Sequence, residues 1–315
     1  MSRTRVLDGA VIVALIMFPF LLPGYLDLAT RVLVLVMCAM SLDLLVGYCG
    51  LVTLGHAAFF GIGAYAAGIL ALRGTAEPVV GLLAGGAAGA VLGAASGAVL
   101  LRSRRLTLIM LSLATVLIVH EVANRMNWLT GGADGLQGIT IAPILGQFSF
   151  DLFGRVAYGY AAIVLALGFF AFRSVIDSNF GKSLVGIREN EPRMRAIGTP
   201  VDRRLHTAFI ISATLAGVAG ALQAQVTEFV ALNSVSVEFS SEILVMLILG
   251  GAGRRYGAFL GAPLYVVMQD YLAREDPTNW YLWIGVMLLA IVLFAPGGLT
   301  RWIGALAERA QRRAT

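Results

Sequence analysis

Charge is scarce in this 315-residue chain. Only 13% of its residues are Asp, Glu, Lys or Arg, about half the share found in soluble domains. With 58% of residues hydrophobic, the composition excludes an ordinary water-soluble domain and leaves a polytopic membrane protein. Cysteine is nearly absent: Cys38 and Cys49 lie in or beside one apolar run. On a helix they stand roughly 16 Å apart, too far for a disulfide, so both are read as packing residues. The three histidines, His56, His120 and His206, are widely separated. No H-E-x-x-H, cysteine pair or carboxylate cluster points to a metal, and no nucleophile elbow points to hydrolysis. "GIGAYAAG" (61–68) and "GGAG" (250–253) match neither a dinucleotide fingerprint nor a phosphate loop. They are read as packing glycines, and any ATP used is hydrolysed by another chain. No cofactor is implied. The net charge of +5 is read through its placement along a membrane, not as nucleic-acid binding.

A membrane helix needs about 20 mostly apolar residues. The sequence offers such runs near 6–26, 31–49, 52–72, 79–101, 106–124, 155–173, 207–224, 256–272 and 280–297, with a shorter run at 242–253. The first resembles a signal peptide, with Arg3 and Arg5 before it. It lacks an A-x-A site, and Pro19 and Pro23 interrupt it, so a retained first helix is expected. The short run is too short for an ordinary span and reads as a broken or tilted helix sheltered by protein. With it the total is ten crossings, without it nine. Charge placement favours ten with both ends inside. The inner segments then hold 18 of the 23 Lys and Arg, leaving Arg31, Arg73, Arg125, Arg155 and Arg274 outside. The expected fold is all-α: a single transmembrane domain over 1–315, an inner loop at about 174–206, an outer loop at about 125–154 and an inner tail at 298–315.

Polar residues inside membrane segments are functional candidates by default. Asp43, near an inner helix end, reads as a local cap or pair. Thr53 and His56 sit in a segment of small and aromatic residues, and for His56 a structural hydrogen bond and a pathway role both stay open. His120, Glu121 and Asn124 end a helix before a glycine-rich loop with Asp134; plain exposed surface and an outer docking rim both fit. The remaining acids fall at predicted helix ends, which argues against a stand-alone ion-coupled transporter. A membrane enzyme has no acid, base or metal constellation to rest on. Gly81, Gly85, Gly89, Gly93 and Gly97, four apart, make one smooth helix seam for close packing.

One stretch departs from the oily background: "GKSLVGIRENEPRMRAIGTPVDRR" (181–204). Residues 180–189 form a short helix. Pro192 suits the first turn of a second one starting near Glu191, Gly198 stops it in a left-handed cap, and Pro200 prevents continuation. Ile187, Met194 and Ile197 among the charges turn a solvated loop into a docking bump.

Six segments, "SLDLLVGYCGLVTLGHAAFFGIGAYAAG" (41–68), "LTGGADGLQGI" (129–139), "GKSLVGIRENEPRMRAIG" (181–198), "FIISATLAGVAGAL" (209–222), "LVMLILGGAGRRYGAFLGAPL" (244–264) and "APGGL" (295–299), together resemble the branched-chain amino acid ABC transporter permeases of LivM type. The resemblance implies a bacterial inner-membrane subunit with a LivH-type permease partner, two cytoplasmic ABC ATPases and a periplasmic binding protein. It implies an ATPase-coupling loop with Gly181, Arg188, Glu189, Asn190, Glu191, Arg195, Ala196 and Gly198 at matching positions. Pro192 and Arg193 stand where small or aliphatic residues are more usual. Arg188, Arg193 and Arg195 would pair with acids on the ATPase while Ile187, Met194 and Ile197 fill its groove. A substrate pathway at the permease–permease interface would be lined by broken or glycine-rich segments such as 50–63 and 242–257, giving Thr53, Gly55, His56, Phe59, Phe60 and Gly63 as candidates. His120, Glu121, Asn124, Gly131, Gly132, Asp134 and Gly135 are candidates for the outer mouth. The family's close relatives also move urea, amides and small aromatic or carboxylic acids.

Overall fold

The computed structural model describes residues 23–103, 106–143 and 154–294, with 298 and 300. Most of the expected first span, residues 104–105, 144–153 of the outer loop and nearly all of the tail lie outside the described residues. Within them the elements are α1 (Leu26–Asp43), α2 (His56–Arg73), α3 (Pro78–Leu100), α4 (Leu106–Arg125), the single turn α5 (Asn127–Thr130), α6 (Arg155–Asp177), α7 (Asn179–Glu189), α8 (Glu191–Ala196), α9 (Val201–Thr227), α10 (Val237–Gly250), α11 (Gly257–Glu275) and α12 (Trp280–Phe294). One isolated antiparallel bridge, Leu136 to Val230, is the only extended pairing among the described residues. Among the described residues, six helices are long and apolar enough to cross a membrane alone: Leu26–Cys49, taking α1 with the turn that follows it, and α2, α3, α4, α6 and α9. The all-α reading holds, and α10, α11 and α12 fall on the expected runs at 242–253, 256–272 and 280–297.

Two helices form the axis. α1 is buried along most of its length, and α9 packs against α1, α2 and α3. The glycine seam of α3 faces α9 as its spacing predicts. A methyl at Gly93 would overlap the side chain of Ala213, and one at Gly85 would lie 2.9 Å from the Gly63 carbonyl oxygen of α2 and 3.0 Å from that of Gly217 of α9. Gly217 closes the contact from the other side, its own missing Cβ pointing at the Gly85 carbonyl. Three backbones thus meet with no side chain between them, which maximises dispersion contact where lipid supplies no hydrophobic drive. Pro78 opens α3 at its first position, where its missing N–H costs nothing.

α1 does not stop at Asp43. It continues as a π-helical turn, Leu44–Cys49, and ends at Gly50 with φ of 73°. Residues 50–55 are then non-helical, and α2 starts only at His56, later than the run at 52 suggests. His56 contacts Ser212, eleven residues into α9, so α2 starts roughly 16 Å along its neighbour. α10 begins at the same depth, since the Ala57 N–H donates to Ser240 Oγ at 3.0 Å. With 14 residues, α10 spans roughly 21 Å, short of the ~30 Å hydrocarbon core. The expected broken helix is therefore a half-span beginning deep in the bundle.

Candidate functional site

The charged island folds as its punctuation dictates. Ser178 caps α7, accepting from the Gly181 N–H at 3.3 Å, and Asn190 caps α8, accepting from the Arg193 N–H at 3.0 Å. Gly198, at φ of 84°, ends α8 in a two-bond left-handed cap: Thr199 N–H to the Met194 carbonyl and Gly198 N–H to the Arg195 carbonyl, each 3.0 Å. Arg195 braces the bump by donating to Glu191 at 2.9 Å and to Asp202 on α9 at 2.6 Å. The carboxylates of Asp202 and Glu191 hold its guanidinium above the ordinary arginine value. Pro192 sits in the first turn of α8, so the helix starts where the sequence places it.

Of the expected contact residues, Ile187 faces inward, while Arg188 and Arg195 are exposed and also hold contacts within the chain. Ile187 is 4% exposed and belongs to the core, so it does not fill a partner's groove. Arg195 is engaged inside the loop. Arg188 donates from Nη1 to the Gly47 carbonyl of the π-helical turn, and its stem lies on Gly50. The bump presents Arg188, Glu189, Asn190, Pro192, Arg193, Arg195, Ala196 and Ile197 to solvent, the last 68% exposed. Met194 is half-buried against Gly186, and Gly181 packs on the backbone of Ile176.

Beneath the bump is a buried polar joint. The Asp43 carboxylate, 2% exposed, accepts from the Gly253 N–H at 2.7 Å. A side chain at Gly47 would collide with both groups. Gly253 lies in the turn between α10 and α11 at φ of 75°, and Arg255 of that turn pairs with Asp177 at the end of α6. The local pairing expected of Asp43 is thus a long-range contact across 210 residues of chain.

The pathway candidates lie inside this one chain. His56 is fully buried: Nε2 is 3.1 Å from Ser212 Oγ, which itself donates to the Ser41 carbonyl. Ser212 therefore accepts from Nε2–H, and Nδ1 has no partner. Phe59 stacks edge-on between His56 and Phe209, and Phe60 meets Phe239 at 4.9 Å. Thr53 and Gly55 are buried beside Ser112 of α4, whose Oγ accepts from the Leu54 N–H at 3.0 Å. Gly63 packs backbone to backbone on Gly217. These six residues join α2 to its neighbours and form no exposed face, which corrects the expectation that they line an interface with a second subunit. Ser212→Ala strands both His56 nitrogens. It is expected to cost about 1–3 kcal/mol and lower the melting temperature in detergent by several degrees, with uptake per folded molecule unchanged. Lost uptake at wild-type stability would instead make His56 a pathway residue.

At the opposite end, the outer-mouth candidates form a folded cap. Gly131, Gly132 and Gly135 all take positive φ, and Leu136, Ile139 and Val230 pack on Tyr65 of α2. Asp134 is exposed, Glu121 pairs with Arg125, and Asn124 lies under Gly132. His120 is half-buried with Nδ1 unpartnered. Arg73 donates to the Trp128 carbonyl at 2.7 Å and lies over its ring.

The sequence reading missed Glu242. It lies well inside α10, half-buried, bonded by Tyr265 of α11 and within the field of Arg31 of α1, which in turn donates to Gln269 at 3.2 Å. Its position within the short apolar run at 242–253 was the available signal.

A bundle of apolar spans carrying a braced, charged bump at one end and a folded cap at the other defines a multi-pass membrane transport subunit. A family profile described as "Branched-chain amino acid transport system / permease component" matches residues 24–292, and the chain belongs to that family. It is 29% identical over 317 residues to "High-affinity branched-chain amino acid transport system permease protein LivM" of Escherichia coli (strain K12), covering 92% of this chain and 73% of that protein. The protein of the same name from Salmonella typhimurium gives the same figures. "Probable branched-chain amino acid transport permease protein LivM" of Methanocaldococcus jannaschii is 29% identical over 182 residues, 52% of each chain. No solved structure matches.

Proposed function

We propose that the chain is the membrane subunit of an ATP-driven importer for branched-chain or related amino acids, working in a bacterial inner membrane with both termini in the cytoplasm. A second, LivH-type permease lies beside it in the bilayer. Two ABC ATPases grip α7 and α8 from the cytoplasm and supply the hydrolysis, and a periplasmic binding protein delivers substrate to the cap around Gly131–Leu136. The observation that carries this reading is the braced bump: a short exposed helix pair, held rigid by Arg195, with Ile197 and Arg193 offered to solvent. A flexible solvated loop has no need of two caps and an ion-pair brace. The family membership supports the same reading.

The test is reconstitution. Vesicles holding this chain with its partner permease and ATPases should accumulate leucine-type amino acids only when ATP is inside and binding protein outside. Uptake by this chain alone on an ion gradient would overturn the assignment.

A further inference from the structure

We propose that Asp43, Gly47, Arg188 and Gly253 form the joint through which the bump moves the transmembrane helices, with the π-helical turn Leu44–Cys49 as the part that yields. The proposal rests on the importer reading and adds the route by which force crosses the chain.

The bump itself is a poor absorber of motion. Its helices are capped, Arg195 ties α8 to α9, and Leu184 and Ile187 anchor α7 in the core. Displacement therefore reaches whatever α7 holds, and Arg188 holds a backbone atom of α1's extension. In an α-helix the Gly47 carbonyl would accept from the Leu51 N–H, four residues on. Here the Leu51 N–H turns to the Leu45 carbonyl at 2.9 Å, as does the Gly50 N–H. The widened turn thus frees the Gly47 carbonyl for the guanidinium.

The other side of the turn is held as well. Asp43 reaches past Gly47 to the Gly253 N–H, and a Cβ on Gly253 would lie 2.9 Å from the Gly47 oxygen and 3.0 Å from Arg188 Nη1. Gly47 and Gly253 therefore pack on each other, with Asp43 and Arg188 each bonded to one of them. Arg255 and Asp177 close the loop back to the base of α7. One buried carboxylate and one guanidinium clamp a single turn between α7 and the α10–α11 turn.

This gives the turn two arrangements. With Arg188 engaged, residues 44–49 stay π-helical. If α7 withdraws, the Gly47 carbonyl regains the Leu51 N–H, and the turn tightens toward an α-helix. The same six residues then form a narrower and longer turn, which shifts residues 50–55 further along the α1 axis by about 1.5 Å. Those residues lead directly into α2, which starts at half depth. Asp43 and Arg188 are thus positioning residues for transport, acting through the backbone rather than on substrate.

The experiment uses the assembled transporter in proteoliposomes, with substrate imported per ATP hydrolysed as the readout. Arg188→Ala is expected to keep the ATPases bound at wild-type stoichiometry and hydrolysis within about two-fold, while import per ATP falls at least ten-fold. Arg188→Lys, which retains a donor for the Gly47 carbonyl, should recover most of the coupling. Asp43→Asn, which keeps an acceptor for Gly253 but loses the charge, should fall between them. Hydrogen exchange on the wild-type complex gives a second measure that needs no variant: peptides spanning 44–54 should change protection when ATP is trapped. Wild-type coupling in Arg188→Ala, or unchanged exchange over 44–54, overturns the joint. Loss of ATPase binding in Arg188→Ala also overturns it, since Arg188 would then be a docking residue and the importer reading would stand. Failure of the wild-type chain to bind any ATPase would instead remove the importer reading itself.

Discussion

Ile197→Asp is expected to abolish ATPase binding while leaving the permease folded. Ile197 is 68% exposed at the tip of the bump, between Ala196 and the left-handed Gly198. Burying an isoleucine in a partner's groove is worth about 1.5–3 kcal/mol. A carboxylate at the same place forfeits that gain and brings an unpaired charge into a closed interface, which costs more again. Together the two effects should weaken association by a hundred-fold or more. Ile197→Ala, which loses only the apolar contact, should weaken it about ten-fold. Titrating purified ATPase onto the permease in nanodiscs measures both. The permease's melting temperature should not move, because the side chain makes little contact within its own chain. Undiminished binding by Ile197→Asp would show that the ATPase grips elsewhere.

The second large effect is structural. Gly217→Val should prevent the chain from accumulating as a folded protein. A Cβ at Gly217 overlaps the Gly85 carbonyl and lies 3.1 Å from Gly89 Cα. Both neighbours are backbone, so no rotamer change relieves the clash, and α3 must move away from α9. Overpacking a core usually costs about 1–3 kcal/mol. Here separation also opens the Gly63 contact on α2, so the penalty falls on three helices together. The control is Gly159→Ala on α6, where a Cβ meets nothing within 4 Å. That change should leave yield unchanged or raise it, since alanine is the better helix former by about 1 kcal/mol. Fluorescence-detected size exclusion in detergent reads both variants. A monodisperse, thermally normal Gly217→Val would contradict the close packing of α2, α3 and α9.

Much of the architecture is legible in the residues because its signals are local. The seam of α3 shows in glycines spaced four apart, the boundaries of α7 and α8 in Ser178, Asn190, Pro192 and Gly198, and the half-span in the shortness of its apolar run. What stayed hidden depends on partners distant in sequence. Arg188 reads as a surface charge because its acceptor is a backbone carbonyl, which every residue possesses. Asp43 reads as a helix-end acid because the Gly253 N–H it needs arrives only when the α10–α11 turn folds back. Ile187 and Ile197 are identical in type and ten residues apart; only the packing of α7 sends one inward and leaves the other in water. His56, Phe59 and Phe60 drew notice as polar or aromatic residues in a broken segment, yet the same features suit a helix start enclosed by four neighbours.

The half-depth start of α2 bears on how the chain is made. Its first amides draw their acceptors from elsewhere: Leu54 from Ser112, Ala57 from Ser240, with His56 resting on Ser212. When the ribosome delivers residues 50–57 to the bilayer, none of those hydroxyls has yet been synthesised. This segment must wait, wet or sheltered by the insertion machinery, until some 180 further residues have emerged. The start of α2 therefore reaches its finished membrane structure only once α10 has been made.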